Sequence, residues 1–413
     1  MARVARRARR ITLVHYTTPT VLGGVEQVMG VHAAGLLAAG AKVTILAGRG
    51  GASPRGVRIA RIREADSRAP LVDRVLAALA RGERTPEHDR LVERLVAKIR
   101  PVTARSDRVV VHNIMTMPMN LALTEALARL AAETPGKFIA WTHDIAYYDH
   151  NYDAFRRPGQ PWELITRALP GFRYVVVSHE RAEQLAKLTG LKESDISVVT
   201  NGVDVPEVLG LSDSGRKLAA RLGLYDADPL LLQPVRLTRR KRVEAAIDAT
   251  AVLRARGRNA VLVVTGSVGP HDKTNRAYMN ELAARAKRVN AGERGVLILA
   301  AMGINVHYDQ VVDLYALADV LVFPSESEGF GIPMLEAGLH RMPIVCSDIP
   351  ALRETGGDEP FYVPPDASGE VIADAIERAM DTPLMRMRDR AHAHAWPKIL
   401  RERVLPVIVD DKP

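Results

Sequence analysis

Two glutamates on either side of a glycine-containing turn are the residues of this sequence best placed to do chemistry. Glu328 and Glu336 stand eight positions apart, with Gly329, Gly331 and Pro333 between them. Glycine lets a backbone approach a ligand closely, and proline suits the first turn of a helix, where no amide donor is needed. The free amides of a helix start can bind phosphate or a sugar oxygen. We therefore predict a site for a phosphorylated, polyhydroxylated ligand. The alternative is an ordinary strand-to-helix turn with two solvated glutamates.

Apolar runs that alternate with helical patterns must position this turn. The run 318–323 reads as a buried strand directly before it, and a helical pattern begins near Pro333. Further strand candidates lie at 11–16, 42–46, 108–112, 137–141, 173–178, 196–199, 230–235, 259–265, 295–300 and 343–347. Strands separated by helices favour parallel sheets, and open α/β sheets bind ligands at the carboxyl ends of their strands. The sequence therefore predicts an α/β protein with its site at strand ends.

The composition narrows the class of protein. The chain has 413 residues, a formal net charge of +9 and one cysteine, Cys346. It is long enough for two or three domains, and no apolar run approaches the ~20 residues that span a bilayer. A single cysteine excludes an internal disulfide and favours a cytoplasmic location. The basic excess suits a phosphorylated partner, and the arginine-rich segment 1–10 leaves a peripheral contact with the inner face of the membrane open.

Three more groups of residues follow predicted strands. Gly23 and Gly24 precede the first helical pattern, His143 stands in a loop rich in tyrosine, and Arg236–Lys241 is a basic segment. Each group also has an ordinary structural explanation, namely a tight turn, a buried histidine or a solvated loop. Their position at strand ends makes them candidate site residues.

The sequence around the two glutamates resembles that of GT-B retaining glycosyltransferases, closest to family four (glycosyl transferases group 1), which carry a Glu-x7-Glu signature. The similarity extends to Ala-Asp-Val-Leu-Val-Phe-Pro-Ser before the signature and to Glu-Ala-Gly-Leu-His-Arg-Met-Pro-Ile-Val at its end. The segment Asn-Gly-Val-Asp at 201–204 and the spacing of Arg236 and Lys241 also match. Val235 and Arg242 depart from the pattern, because the family usually has glycine at both places.

The resemblance implies an architecture for the whole chain. It predicts an α/β fold with two Rossmann-like parallel-sheet domains facing each other across a cleft. Residues 1–207 would form the acceptor-binding domain and residues 208–390 the nucleotide-sugar-binding domain. Residues 391–413 would form a C-terminal helix that crosses back to the first domain.

The resemblance also implies a role for each candidate residue. Glu336 would hold the ribose, Glu328 the hydroxyls of the donor sugar, and His143 would touch that sugar near the reacting centre. Arg236 and Lys241 would stabilise the leaving diphosphate, because fixed cations neutralise charge as it develops. The other expected substrate-binding residues are Gly23, Gly24, Asn201, Gly266, Ser267, Gly329, Phe330, Gly331 and Ile332. No metal and no other cofactor is expected.

The reaction implied by the resemblance is transfer of a hexosyl group from a UDP- or GDP-sugar to an acceptor hydroxyl, with retention at the anomeric carbon. The identity of the acceptor stays open: it could be a lipid-linked glycan, a phosphorylated polyol, a small metabolite or an antibiotic aglycone. One alternative is a nucleotide-sugar epimerase or phosphorylase of the same architecture. Another is a basic nucleic-acid-binding α/β protein, but the aromatic residues are few and are not interleaved with the basic ones, so a nucleic-acid partner is not expected.

Overall fold

The chain folds into two compact α/β units. A computed structural model describes residues 9–51, 54–266, 274–290 and 294–409. Unit 1 comprises Met1–Gly202 together with His394–Pro413, and unit 2 comprises Val203–Ala393. The sequence-based domain limits at 207 and 390, and the cleft between the domains, stay predictions.

The described part of unit 1 contains a seven-stranded, wholly parallel sheet in the order β3-β2-β1-β4-β5-β6-β7. Its strands are β1 Arg10–Val14, β2 Lys42–Ala47, β3 Arg58–Arg61, β4 Arg108–His112, β5 Phe138–Thr142, β6 Phe172–Val176 and β7 Ile196–Val198. The central strands β1, β4 and β5 are largely buried and mostly apolar because both faces of the sheet are covered. The strand order reverses beside β1, so the carboxyl ends of β1 and β4 flank the point where such sheets bind ligands.

Helices cover both faces of this sheet. They are α1 Gly24–Ala38, α2 Pro70–Ala80, α3 Pro86–Ala104, α4 Leu121–Ala132 and α5 His179–Thr189, with short 3-10 turns at Arg63–Ala65, Ala146–Tyr148, His150–Phe155, Trp162–Ile165 and Glu193–Asp195. One apolar core lies under α2, α3, α4 and α5, and the other lies under α1 and the end of the chain. The chain ends in short helical segments at Trp396–Ile399, Leu400–Val404 and Leu405–Val409. Trp396 contacts the ring of His32 on α1, which ties this end into unit 1.

Unit 2 is built in the same way around a six-stranded parallel sheet in the order β10-β9-β8-β11-β12-β13. The strands are β8 Leu230–Gln233, β9 Val261–Val264, β10 Val296–Ile298, β11 Val320–Phe323, β12 Ile344–Ser347 and β13 Phe361–Val363. The helices are α6 Val205–Val208, α7 Asp213–Leu222, α8 Val243–Ala255, α9 Thr274–Asn290, α10 Tyr308–Leu317, α11 Ile332–Leu339, α12 Pro350–Gly356, α13 Gly369–Met380 and α14 Pro383–Ala393, with 3-10 turns at Leu224–Asp226 and Arg239–Lys241. The β8 and β11 strands pair directly, which brings the loops after them together.

The α/β class with two parallel-sheet units is confirmed. Cys346 is buried in β12, the strand predicted at 343–347. Two edge strands, β3 and β13, escape the sequence analysis because each is short and owes its place to pairing with a neighbour. The proline, glycine and serine residues of 206–215 are typical of a linker, but the segment contains most of α6 and the start of α7. Pro206 lies in the first turn of α6, where proline is compatible with a helix. Among the helices of the described residues, none is both long enough and apolar enough to cross a membrane.

Candidate active site

The turn between β11 and α11 needs one of its two glycines for reasons of backbone geometry. Gly331 has a φ of +100°, and a Cβ there would lie 2.8 Å from Leu352 Cδ2. Any other residue would therefore strain the start of α11. Gly329 differs, because a Cβ built on it would meet no protein atom within 4 Å. Its open side is available to a ligand.

The backbone amides of this turn have no hydrogen-bond acceptor in the part of the chain that the structure describes. None of the N–H groups of Gly329–Ile332 donates a hydrogen bond to another described residue. The side chains of Phe330 and Ile332 are 49% and 61% exposed, which is unusual for large apolar residues. Free amides at a helix start attract anionic or sugar oxygens, so the predicted substrate-binding segment has the donors that its role requires.

Glu328 is paired with the basic segment after β8. Oε1 of its carboxylate forms an ion pair with Lys241, and Arg240 Nη1 lies 3.4 Å from the other carboxylate oxygen, Oε2. Both partners of the Lys241–Glu328 pair are largely buried, and the Lys241 ammonium also lies 5.1 Å from the centre of the Phe323 ring. Burial lowers the pKa of Lys241, while the hydrogen bond and charge of Glu328 oppose that change. The two residues predicted to act on the donor are therefore in direct contact.

The side chains of the basic segment after β8 differ in whether they contact another described residue. Arg239 forms two hydrogen bonds with Glu281 of α9, at 2.9 and 3.0 Å. Arg242 has a φ of +48° and donates to the carbonyl oxygens of Pro365 and Ala367. Arg236 is exposed and makes no side-chain hydrogen bond or ion pair with another described residue. These contacts favour Arg236 and Lys241 over Arg239 and Arg242 as groups that meet a diphosphate.

Glu336 lies one turn into α11 and is held by two tyrosines of α10. The Tyr308 hydroxyl donates to Oε1 at 2.8 Å, and the Tyr315 hydroxyl donates to Oε2 at 2.7 Å. Tyr315 is buried and stacks on His340 at 5.8 Å, whereas Tyr308 is 68% exposed. The pKa of Tyr315 is raised by burial and by the Glu336 carboxylate, so its hydroxyl stays a donor. Each carboxylate oxygen can accept a second hydrogen bond, so the carboxylate retains sites for a diol.

Gly266 has a packing role at the end of β9. A Cβ there would lie 1.6 Å from the carbonyl oxygen of Val235, which is less than any non-bonded contact allows. Glycine at this position lets β9 approach the loop that carries Arg236. Ser267, predicted beside it as a site residue, lies outside the described residues.

In unit 1, His143 follows β5 and is buried. Its Nε2 lies 3.4 Å from Nδ1 of His112, the last residue of the neighbouring strand β4. Asn113 accepts from the backbone amides of His143 and Asp144 at 3.1 and 2.8 Å and so fixes the loop. Burial lowers the pKa of His143 to about 4. The imidazole is therefore neutral at pH 7, and it can accept or donate a hydrogen bond without carrying charge.

Gly23 and Gly24 lie at the start of α1, close to the acidic residue Glu26. A Cβ at Gly23 would lie 2.1 Å from Oε2 of Glu26, whereas a Cβ at Gly24 would meet nothing within 4 Å. Glu26 Oε1 lies 3.6 Å from His15 Nε2, and it also accepts from the hydroxyl of Thr17. The hydrogen bond from His15 lowers the pKa of Glu26 to about 2. Gly23 therefore makes room for a carboxylate that is ionised at pH 7, and Gly24 leaves its side open.

Asn201 is exposed in the loop after β7, and none of the hydrogen bonds between described residues involves its side chain. The following residue, Gly202, packs against Trp396, since a Cβ there would lie 2.7 Å from the indole. The Asn-Gly pair thus combines a free amide side chain with a close contact to the end of the chain.

Sequence reasoning missed several residues of these clusters. Tyr308 and Tyr315 stand seven apart, a spacing that places them on one helix face, so a signal for them existed. Glu26 follows the glycine pair and could also have been found. The pairing of His112 with His143 could not, because it depends on the adjacency of β4 and β5. Within the described residues, no group of three or more histidine, cysteine, aspartate or glutamate residues is arranged to hold a metal ion.

Comparison with known proteins covers most of the chain. Residues 22–207 match the family model described as Glycosyltransferase Family 4, and residues 216–396 match the model described as Glycosyl transferases group 1. Mannosylglucosylglycerate synthase of Petrotoga mobilis is 25% identical over 267 residues, which are 60% of this chain and 61% of that protein. Alpha-D-kanosaminyltransferase of Streptomyces kanamyceticus is 30% identical over 183 residues, 44% of each chain. The chain thus spans less than two thirds of the length of these two curated relatives.

Among solved structures, sucrose-phosphate synthase from Thermosynechococcus elongatus aligns over 97% of this chain and 98% of its own, with 17% identity. The TM-score of that superposition is 0.40, which is too low to support a conclusion.

Proposed function

Because the chain belongs to the group 1, family 4 glycosyltransferases, we propose that it transfers a hexosyl group from a nucleotide diphosphate sugar to an acceptor hydroxyl, with retention at the anomeric carbon. The observation that carries this proposal is the grouping around the β11–α11 turn. A buried ion pair lies there at the ends of two adjacent strands, together with backbone amides and an arginine, Arg236, that have no partner among the described residues. This combination suits a ligand that joins a sugar to a diphosphate.

The cationic side chains of unit 2 fit the diphosphate. Arg236, Arg240 and Lys241 carry three positive charges, and the carboxylate of Glu328 offsets one of them. The remaining charge and the start of α11 would stabilise a leaving nucleoside diphosphate, because preorganised charges act where negative charge develops. The same cations could replace a divalent ion, so we propose a reaction that needs no metal.

The other residues fit the sugar and the nucleoside. Glu336 retains acceptor sites for a ribose diol beside its two tyrosine hydroxyls. Glu328 is fixed by Lys241 and would accept from donor-sugar hydroxyls. His143, neutral at pH 7, and the open side of Gly24 would serve the transferred sugar in unit 1. For the acceptor we propose a lipid-linked or phosphorylated molecule, in keeping with the basic charge of the chain.

Calorimetric titration with a panel of UDP- and GDP-sugars tests the donor. We expect one nucleotide class to bind with a dissociation constant in the micromolar range and Glu336→Gln to weaken that binding about tenfold, because a charge-assisted hydrogen bond is lost. Leu339→Gln is the matched control, since Leu339 is 86% exposed on the same helix. Failure of every nucleotide sugar to bind would refute the proposal.

Product analysis tests the reaction class. With donor and a mixture of acceptors, a transferase forms a glycoside and releases the nucleoside diphosphate. An epimerase converts the donor without an acceptor, and a phosphorylase requires inorganic phosphate. Undiminished transfer in excess chelator would support a metal-free reaction, and loss of transfer that added divalent ions restore would contradict it.

A further inference from the structure

A groove at the opposite edge of the unit 1 sheet is lined by four cations. The groove has a volume of about 780 Å³ and is bordered by Arg10, Lys42, Arg58 and Arg105. The first three are the first residues of β1, β2 and β3, and Arg105 follows the end of α3. The groove therefore lies at the amino-terminal edge of the sheet, whereas His143 and Glu26 lie at its carboxyl edge.

The sheet holds these like charges side by side. Arg10 and Lys42 are direct register partners on adjacent strands, and neighbouring strands lie only about 4.8 Å apart. Arg58 pairs in register with Thr44, two residues beyond Lys42, so it joins the same edge of the sheet. Like charges directly opposite one another in a sheet are unfavourable unless a counterion intervenes.

The protein supplies no such counterion among its described residues. None of the four side chains makes a hydrogen bond or ion pair with another described residue. Asp107 accepts from the backbone amide of Arg10 at 2.7 Å, not from its guanidinium. By contrast, Arg100, one turn before the end of α3, is paired with Glu133. The four cations that border the groove therefore have no ion-pair partner among the described residues.

The floor of the groove adds hydroxyl groups. Thr12 and Ser106 are both buried and lie 2.7 Å apart through their side-chain oxygens. Ser106 donates to the carbonyl of Val102 at 3.1 Å, so it accepts from Thr12. Thr44 also lines the groove, and its hydroxyl makes no side-chain hydrogen bond with a described residue. The hydroxyl protons of Thr12 and Ser106 are thus used within the protein. The Thr44 hydroxyl and the surrounding guanidinium and ammonium groups remain as donors that match the oxygens of phosphate.

We propose that this groove binds a phosphorylated anion. Phosphate oxygens would be held by the Arg10, Arg58 and Arg105 guanidinium groups and the Lys42 ammonium, with the Thr44 hydroxyl as a further donor. The volume accommodates more than one phosphate group, so a di- or triphosphate or the head group of an anionic phospholipid fits. None of its residues is assigned to donor binding, and the groove lies at the end of the sheet opposite His143 and Glu26, so this proposal does not rest on the proposed transfer reaction.

Two arms of one experiment test the site and identify the source of the phosphate. The first arm is calorimetric titration of the full-length protein with inorganic tripolyphosphate. The second is co-sedimentation with vesicles of phosphatidylcholine containing phosphatidylglycerol, compared with vesicles of phosphatidylcholine alone. Each arm compares wild type with Arg58→Gln/Arg105→Gln. The matched control is Arg90→Gln/Lys187→Gln, which removes two exposed cations of the same unit away from the groove.

We expect the groove variant to lose at least tenfold in affinity in one of the two arms, since each cation removed costs about one charge-assisted hydrogen bond. The control should stay within about twofold of wild type by the same reasoning. Tripolyphosphate can also bind at Arg236, so a second class of sites that survives in every variant is compatible with the proposal. Equal binding by the groove variant and the control in both arms would overturn it. Circular dichroism of both variants shows whether the fold is retained.

Discussion

Removing one partner of the Lys241–Glu328 pair should destabilise unit 2 more than removing both. Both side chains are largely buried, with 11% and 7% of their surfaces exposed. Loss of one partner from a buried ion pair costs about 3–5 kcal/mol, because the other charge is left uncompensated. Arg240 remains 3.4 Å from Glu328 but is half-exposed, so it compensates only in part. For Lys241→Met we therefore expect a loss of about 2–3 kcal/mol in the free energy of unfolding.

The measurement is thermal unfolding with and without donor. A loss of this size lowers the melting temperature by about 5–10 °C for a unit of this length. The double variant Lys241→Met/Glu328→Gln should recover most of that difference, since it removes the charge that is left unpaired. Turnover should fall about 10²- to 10³-fold in both variants, because the stabilising cation is missing in each.

A control within the same turn separates burial from charge. Arg239→Met breaks the exposed pair with Glu281, in which 66% of the arginine side chain is accessible. An exposed pair contributes about 0–1 kcal/mol, so this variant should unfold close to wild type. A single Lys241→Met variant as stable as Arg239→Met, or a double variant no more stable than the single one, would refute the reasoning.

Three further predictions concern donor binding and pH. Tyr315→Phe removes a buried hydroxyl that donates to the Glu336 carboxylate, so it should weaken nucleotide binding about five- to tenfold. Tyr308 is exposed, and Tyr308→Phe should change nucleotide binding less than about twofold. Equal effects of the two variants in calorimetry would contradict this distinction. Gly331→Ala should lower the free energy of unfolding by about 1–3 kcal/mol, because Gly331 has a positive φ. Gly329→Ala should unfold like wild type but bind the donor more weakly. Denaturation measures the first effect and calorimetric titration the second. His143 is neutral when folded until about pH 4, whereas the unfolded imidazole takes up a proton near pH 6.5, so stability should fall by up to about 3 kcal/mol between these values. His143→Asn should reduce that slope by the contribution of His143, whereas the buried His32 and His112, whose pKa values are also lowered, should maintain the rest. A folded-state NMR titration of His143 near pH 6.5 would show the burial argument to be wrong.

The elements that could be predicted from the sequence are those determined by a few neighbouring residues. The apolar run before the glycine turn, the proline in the first turn of α11 and the spacing of Glu328 and Glu336 each reflect the conformation of a few neighbouring residues. The strands of both sheets were likewise found wherever they are buried and apolar. The edge strand β3 was not, because Arg-Ile-Ala-Arg becomes a strand only through its pairing with β2.

The partners of the basic segment lay beyond sequence reasoning. Four neighbouring cations, Arg239, Arg240, Lys241 and Arg242, are indistinguishable by residue type and spacing but have three different surroundings. Their contacts are made with Glu281 of α9, with the β11–α11 turn and with carbonyls before α13, which are distant in sequence. Only the pairing order of the sheet determines which of these elements meets which cation. The same holds for His112, which reaches His143 because β4 and β5 are neighbours.

The burial of Lys241 explains why an acidic residue, Glu328, lies among the cations of this site. A lysine largely removed from water tends to lose its proton, and an uncharged amine could not stabilise a diphosphate. The hydrogen bond and charge of Glu328 act against that loss. Because Glu328 offsets one charge and Arg236 and Arg240 supply two more, the cluster keeps a protonated lysine and still carries net positive charge. On this argument Glu328 keeps Lys241 protonated in addition to contacting the sugar. Glu328→Gln should therefore lower the pKa of Lys241. As the pH is raised, turnover of this variant should then decline at a lower pH than turnover of the wild type.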